Sequence, residues 1–273
     1  MRGRAPVYAA LLAVAALYLA PIGLMVVGSL KPDERVLVEA GGPEAFWPGD
    51  AGVQNYRDVF ARTAFLRFLG NSALITGLVV GFGLVVNSLA GYALARLRWR
   101  GRNAVATLVG ALMIIPLEAI AVPLFYLVAV LGWRDTYLVQ IVPFVANAFT
   151  IYLFYTYFLG LPRELEESAR IDGAGVLRTF WSVIVPNAKP AYASAAVLTF
   201  LTQWGAFLWP LMVTSGERVR PLPVAIATFQ TLPPLQWGDI FAFGVMMVAP
   251  IVLAFLFFQR WFVRGVAATG IKG

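Results

Sequence analysis

The 273-residue sequence contains neither cysteine nor histidine. Without cysteine there are no disulfide frameworks, thiolate nucleophiles or Cys-ligated zinc sites. Without histidine there are no imidazole bases, His-dependent dyads or mixed metal sites. Lysine occurs only at Lys31, Lys189 and Lys272, and none lies in the G-x-x-x-x-G-K-[ST] loop that cradles nucleotide phosphates. An intramembrane protease of the serine or metal type needs histidine, and an aspartyl type needs two buried acids, whereas Glu118 is the only acid deep in an apolar run. The reading is of a chain that is not an enzyme, with no catalytic residue, no metal site and no cofactor of its own. Charge is scarce as well, at 13% of residues against 60% hydrophobic, outside the range of a soluble domain. The net charge of +7 does not point to nucleic acid, because the basic residues cluster between apolar runs and set membrane orientation there.

What is present is a succession of long apolar runs, and the sequence reads as an all-α polytopic membrane protein with six transmembrane helices. The first, Val7 to Val27, follows Arg2 and Arg4, and is longer than a signal-peptide core, so it is expected to be retained. The others are expected over about 71–95, 104–130, 137–159, 192–213 and 240–258. Residues 29–69, with Pro32, Pro43, Pro48 and several acids, form an external loop, which divides the chain into 1–66, a core over 67–262 and a tail over 263–273. In the second span, Gly77-x-x-x-Gly81 with Gly83, Ser88, Ala90 and Gly91 predicts close helix contacts. Arg96, Arg98, Arg100 and Arg102 follow with no acid among them and mark a cytoplasmic loop, so both termini are cytoplasmic. Pro116 and Pro123 predict breaks in the third span, tolerable at membrane depth only where protein or water satisfies the freed carbonyls. Residues 214–238, rich in proline, read as an external loop.

One long polar interruption organises the second half, Leu161 to Pro190. Pro162 suits a first helical position, Glu164, Glu166 and Glu167 suit the positive end of a helix dipole, and Glu166 stands four before Arg170. Asp172-Gly173 breaks that helix, and a second follows with Val176, Leu177, Phe180, Trp181 and Ile184 on one face until Pro186 stops it. The expectation is a helix-turn-helix outside the bilayer.

This pattern resembles the cytoplasmic "EAA" loop of importer permeases in the ATP-binding-cassette superfamily: Glu-Ala-Ala, three residues, Gly, nine residues, then Ile-x-Leu-Pro. Here the positions are Glu167-Ser168-Ala169, Gly173 and Val183-Ile184-Val185-Pro186. The similarity extends over nearly the whole chain and narrows to carbohydrate-uptake permeases related to the second membrane subunit of the maltose transporter. It is carried by Asn71-Ser72, by Ala90 to Arg96, by Ile115-Pro116 with Pro123-Leu124, and by Gln259 to Gly265 with Gly270 to Gly273. Trp204-Gly205-Ala206-Phe207 departs from the Trp-Asn-Asp or Trp-Asn-Glu common in that group.

The resemblance implies a multi-pass protein of the bacterial inner membrane that translocates a sugar, or another polyol or sugar phosphate such as glycerol 3-phosphate. Its implied partners are a second homologous permease, two ATP-binding subunits that hold ATP and Mg, an extracytoplasmic solute-binding protein and the lipid around it. A passive channel would leave the cytoplasmic loop unexplained. Glu167, Ser168, Ala169, Asp172, Gly173 and Pro186 are then the ATPase-coupling loop, with Glu167 alternatively a solvated carboxylate paired to Arg163 or Arg170. Glu118, Asn147, Gln203 and Trp204 are candidates for the translocation path. Glu118 has the alternative of capping freed amides, and Asn147 and Gln203 that of bonding between helices.

Overall fold

The computed structural model describes residues 5–270, with side chains over 6–257. Arg2, Arg4, the side chains of Gln259 to Arg264 and of the 263–273 tail, and residues 271–273 lie outside the described residues. In chain order the helices are α1 (Ala5–Leu30), α2 (Asp33–Val38), α3 (Gln54–Arg62), α4 (Phe65–Arg96), α5 (Arg102–Leu112), α6 (Leu117–Val130), α7 (Tyr137–Val145) and α8 (Ala148–Leu159). They continue as α9 (Glu164–Ile171), α10 (Val176–Thr179), α11 (Val185–Asn187), α12 (Lys189–Trp204), α13 (Leu208–Val213), α14 (Leu222–Phe229) and α15 (Trp237–Gly270). No strand occurs among the described residues, so the all-α expectation is met.

Among the described residues four stretches are long and apolar enough to cross a membrane: Pro6–Leu30, Phe65–Arg96, Tyr137–Leu159 and Trp237–Phe257. The pair α5 and α6, bent by 104°, makes a fifth if it counts as one span. Among the described residues the count therefore falls short of the expected six, with no such stretch at 192–213. There the chain splits at Gly205 to Phe207 into α12 and the short α13. The 16 residues of α12 reach about 24 Å, less than the roughly 30 Å of a hydrocarbon core. The third span breaks at Pro116, as expected, whereas Pro123 sits inside α6 without interrupting it. The fourth holds an unexpected break at Ala146-Asn147, both in extended backbone. Residues 214–238 are not simply a draped loop, because α14 buries Leu222, Val224, Ala225 and Phe229.

The chain divides into two compact units, one holding the described residues through Leu69 with Pro221–Pro250, the other Gly70–Arg220 with the described residues from Ile251. In the first unit, α1 is apolar on all sides and exposed, as at Leu12, Leu17 and Tyr18, the character of a membrane span. The segment after it is folded. The Asn55 amide donates to the Ser29 and Lys31 carbonyls at 2.8 Å each, and buried Lys31 meets Glu39 at 2.7 Å. Arg62 closes the unit: one guanidinium nitrogen reaches Gln236 at 2.6 Å and Asp239 at 2.5 Å, and the other donates to the Pro234 carbonyl at 2.6 Å. The guanidinium also lies 5.0 Å from the centre of the Phe229 ring, a cation–π distance.

The second unit is built on a cluster of Tyr92, Ala95, Phe154, Phe158, Phe180, Ile184 and Ala188, which joins α4, α8 and the segment leading to α12. Gly91 makes it possible. A Cβ there would fall 2.7 Å from the Phe154 Cβ and 2.9 Å from the Tyr155 amide nitrogen, so only glycine lets α4 and α8 approach this far. Gly77 and Gly81, expected to do the same, have nothing within 4 Å of such a Cβ. They face an open apolar groove of about 420 Å³ that Phe200, Leu201 and Trp204 line from α12.

Candidate functional site

The chain leaves α8 at Gly160 and enters α9, whose first turn carries Glu164, Glu166 and Glu167, where negative charge suits the positive end of the helix dipole. Glu166 does not pair with Arg170, as the four-residue spacing suggested. It is buried and turned inward, with Oε1 3.6 Å from Nε of Arg96, itself 4% exposed, at the end of α4. Arg96 also donates from Nη2 to the carbonyl of Leu161. Neither Arg96 Nε nor Glu166 Oε1 has a hydrogen-bond partner, so each depends on the other for charge compensation. One arginine thus fastens both the entry of α9 and its first turn to α4, a contact that sequence spacing could not reveal because seventy positions separate the partners.

The end of α9 follows from Gly173, which takes φ of +76°. Its amide donates to the Arg170 carbonyl at 3.0 Å, and the Ala174 amide donates to that of Ala169 at 2.9 Å. These are the two bonds of a Schellman cap, which needs a left-handed residue at this position. Beyond it α10 passes into one π-helical turn, Phe180–Ile184, closed by the Val185 amide on the Phe180 carbonyl. Pro186 therefore does not stop the helix as expected. The chain stays helical through α11 because the wider turn accommodates a residue with no N–H, and the Asn187 side chain donates to the Val183 carbonyl at 2.7 Å.

The expected single apolar face splits in two. Thr179, Phe180 and Ile184 point into the core, while Ile171 (87% exposed), Leu177 (65%), Val176 and Trp181 stand outside. Apolar side chains grouped at the tip of a capped helix-turn-helix are suited to another protein's surface. Glu167 and Ser168 are exposed, and no ion pair joins Glu167 to Arg163 or Arg170 among the described residues. Ala169 is 8% exposed, so its small side chain serves contact inside the fold rather than an outer docking face.

The four candidates for a path are not gathered. Glu118 is exposed in the first turn of α6, and no side chain caps that helix. Asn147 caps α8, accepting from the Thr150 amide at 3.0 Å, and its own amide donates to Asn87 Oδ1 at 2.9 Å. Asn87, buried within α4, also donates to the Val145 carbonyl at 2.9 Å. It thereby satisfies both sides of the break in the fourth span. Trp204 is buried and stacks on Phe200 with centroids 5.3 Å apart, beside Gln203 at the end of α12. Among the described residues no hydrogen bond joins Glu118, Asn147 and Gln203 to one another. Sequence reasoning missed Asn87, whose signal was a polar residue on the inner face of an apolar helix.

Residues 83–268, which include the Arg96 anchor and the whole glycine-capped loop, match the family described as "Binding-protein-dependent transport system inner membrane component". The chain belongs to this family. It is a membrane permease and not an enzyme. An arabinooligosaccharides transport system permease protein AraQ from Halalkalibacterium halodurans is 34% identical over 93% of this chain and 91% of its own length. The trehalose/maltose permease MalG of Thermococcus litoralis is 34% identical over 77% of this chain and 76% of its own. The sn-glycerol-3-phosphate permease UgpE of Yersinia enterocolitica is 33% identical over 79% and 75%. Among solved structures, a chain of a bacterial ABC transporter involved in the import of the acidic polysaccharide alginate superposes with a TM-score of 0.85. It is 26% identical, over 96% of this chain and 97% of that one.

Proposed function

We propose that this permease is one of two membrane subunits of an importer that carries a mono- or oligosaccharide into the cytoplasm. Two ATP-binding subunits, holding ATP and Mg, dock on the tip formed by Ile171, Val176, Leu177 and Trp181. An extracytoplasmic solute-binding protein delivers the sugar. The observation that carries this reading is the loop itself: an exposed apolar tip, capped through Gly173 and fixed to a membrane helix by Arg96, is built to pass a partner's movement into α4. The names of the arabinooligosaccharide and trehalose/maltose relatives support a sugar. The sn-glycerol-3-phosphate relatives support a polyol phosphate as the second reading. The core over 67–262 holds the machinery, with both termini cytoplasmic.

The path runs beside α6, whose start at Pro116 leaves Glu118 exposed, and beside the break at Asn147, since irregular backbone at membrane depth must face protein or water. Gln203 and Trp204 border it from α12. The test is uptake into proteoliposomes holding the assembled complex, with the binding protein outside and ATP inside. Flux expected only with both present, for a sugar but not for glycerol 3-phosphate, supports the assignment; flux without ATP sinks it. Because the native chain has no cysteine, single cysteines from Ile115 to Phe125 report the path through labelling that changes with ATP turnover. Reporters fused after Arg100 and after Arg218 are expected to read cytoplasmic and external respectively.

A further inference from the structure

Beside the anchor of α9 lies a cleft of about 350 Å³ lined by five arginines, Arg96, Arg98, Arg102, Arg163 and Arg170, against two acids, Glu166 and Glu167. This volume falls in the range of small-ligand pockets, about 300–1,000 Å³. Only one ion pair forms within it among the described residues, between Arg96 and Glu166. Among the described residues no carboxylate lies within 4 Å of Arg98, Arg102, Arg163 or Arg170. Orientation by positive charge accounts for Arg98 and Arg102 as loop residues. It does not account for a concave arrangement in which arginines of two separate loops line one cleft. Guanidinium forks match the oxygens of a phosphate.

We infer that this cleft binds the phosphate of an anionic phospholipid of the cytoplasmic leaflet. The inference rests on the proposed cytoplasmic placement of the loop. Three lining residues flank membrane-crossing helices directly: Arg98 follows the end of α4, Arg102 begins α5, and Arg163 stands shortly after α8 ends at Leu159. That places the cleft at headgroup level, where basic pockets between membrane helices take lipid phosphates. Trp99, 43% exposed beside Arg98, has the amphipathic ring common at that level. Ile171, Val176, Leu177 and Trp181 do not line this cleft and remain free for the ATP-binding subunit. A headgroup bound here bridges α5 to α9 and so makes the position of the coupling loop sensitive to lipid composition.

The test uses the assembled importer in mixed micelles of phosphatidylglycerol and phosphatidylcholine, with retained lipid counted by native mass spectrometry. Phosphatidylglycerol is expected to be preferred. Arg102→Gln/Arg163→Gln lowers that preference by about tenfold, Arg102→Lys/Arg163→Lys keeps most of it, and Arg57→Gln/Arg67→Gln leaves it unchanged. Equal retention in all variants overturns the inference. Displacement of the lipid by millimolar inorganic phosphate also overturns it, making the cleft a site for free anions. Loss of the ATP-binding subunit from the Arg102→Gln/Arg163→Gln complex with lipid retention intact assigns the cleft to an acidic protein face and overturns it as well. The micelle measurement needs no orientation. An external signal from the Arg100 reporter with the lipid preference intact therefore breaks the placement alone, and lost preference with a cytoplasmic signal breaks the cleft alone.

Discussion

Two arginine-rich regions of this permease treat charge in opposite ways. In the unit of α1 to α3 and α14, the guanidinium of Arg62, partly exposed, is engaged by Gln236, Asp239, two main-chain carbonyls and the Phe229 ring. Around the loop that holds α9, only Arg96 meets a carboxylate among the described residues, and four neighbouring arginines line an open cleft, Arg102 donating to the Leu97 carbonyl at 3.4 Å. A saturated guanidinium fixes structure, because removing it strands buried acceptors. An unsaturated one costs the fold little and is free to meet another molecule.

Breaking the closed region has the largest expected effect. Arg62→Ala leaves Asp239, 1% exposed, without its counter-charge, and a loss of about 3–5 kcal/mol follows, read as a lower unfolding midpoint and membrane yield. Arg62→Lys restores little of it, since one ammonium cannot serve several acceptors in fork geometry. An unchanged midpoint would show that the network is ornamental. Next comes the closed member of the second region: Arg96→Gln costs about 2–3 kcal/mol and lowers uptake more than stability alone predicts. A double-mutant cycle with Glu166→Gln should give a coupling energy of about 1–3 kcal/mol, and strict additivity would mean that the two do not act as a pair.

Glycine pairs sharpen the same contrast between closed and open sites. Gly91→Val meets Phe154 and Tyr155 and is expected to destabilise by about 1–3 kcal/mol. Gly77→Ala places a Cβ with no described atom within 4 Å, so a loss there would point to a neighbouring subunit in the apolar groove. Gly173→Ala is limited to backbone strain of about 1–2 kcal/mol, since no atom lies within 4 Å of its Cβ. If Gly173→Asp releases the ATP-binding subunit from an otherwise well-inserted protein, a close contact with the partner is lost at that point; normal assembly and uptake remove the glycine from the interface. Smallest of all, Arg102→Gln should change unfolding stability by no more than about 0.5 kcal/mol, and a larger change would mean that the cleft is part of the core after all.

The sequence by itself determined the class of molecule, the place of the polar helix-turn-helix after α8 and the turn at Gly173. Apolar run length and a left-handed glycine are local properties, readable from neighbours along the chain. Local pattern also located the break at Pro116, because a missing N–H is a property of one residue. Tertiary structure decided what depends on distant partners. Glu166 turned to Arg96 instead of Arg170, Asn87 held open the break at Asn147, and the apolar face of α10 divided between core and surface. It was the tertiary structure, too, that carried helix past Pro186 and ended α12 at Trp204. In each case several local arrangements cost nearly the same, and packing across the unit chose among them, since a buried polar group or a close helix contact outweighs the small propensities that spacing along the chain can reveal.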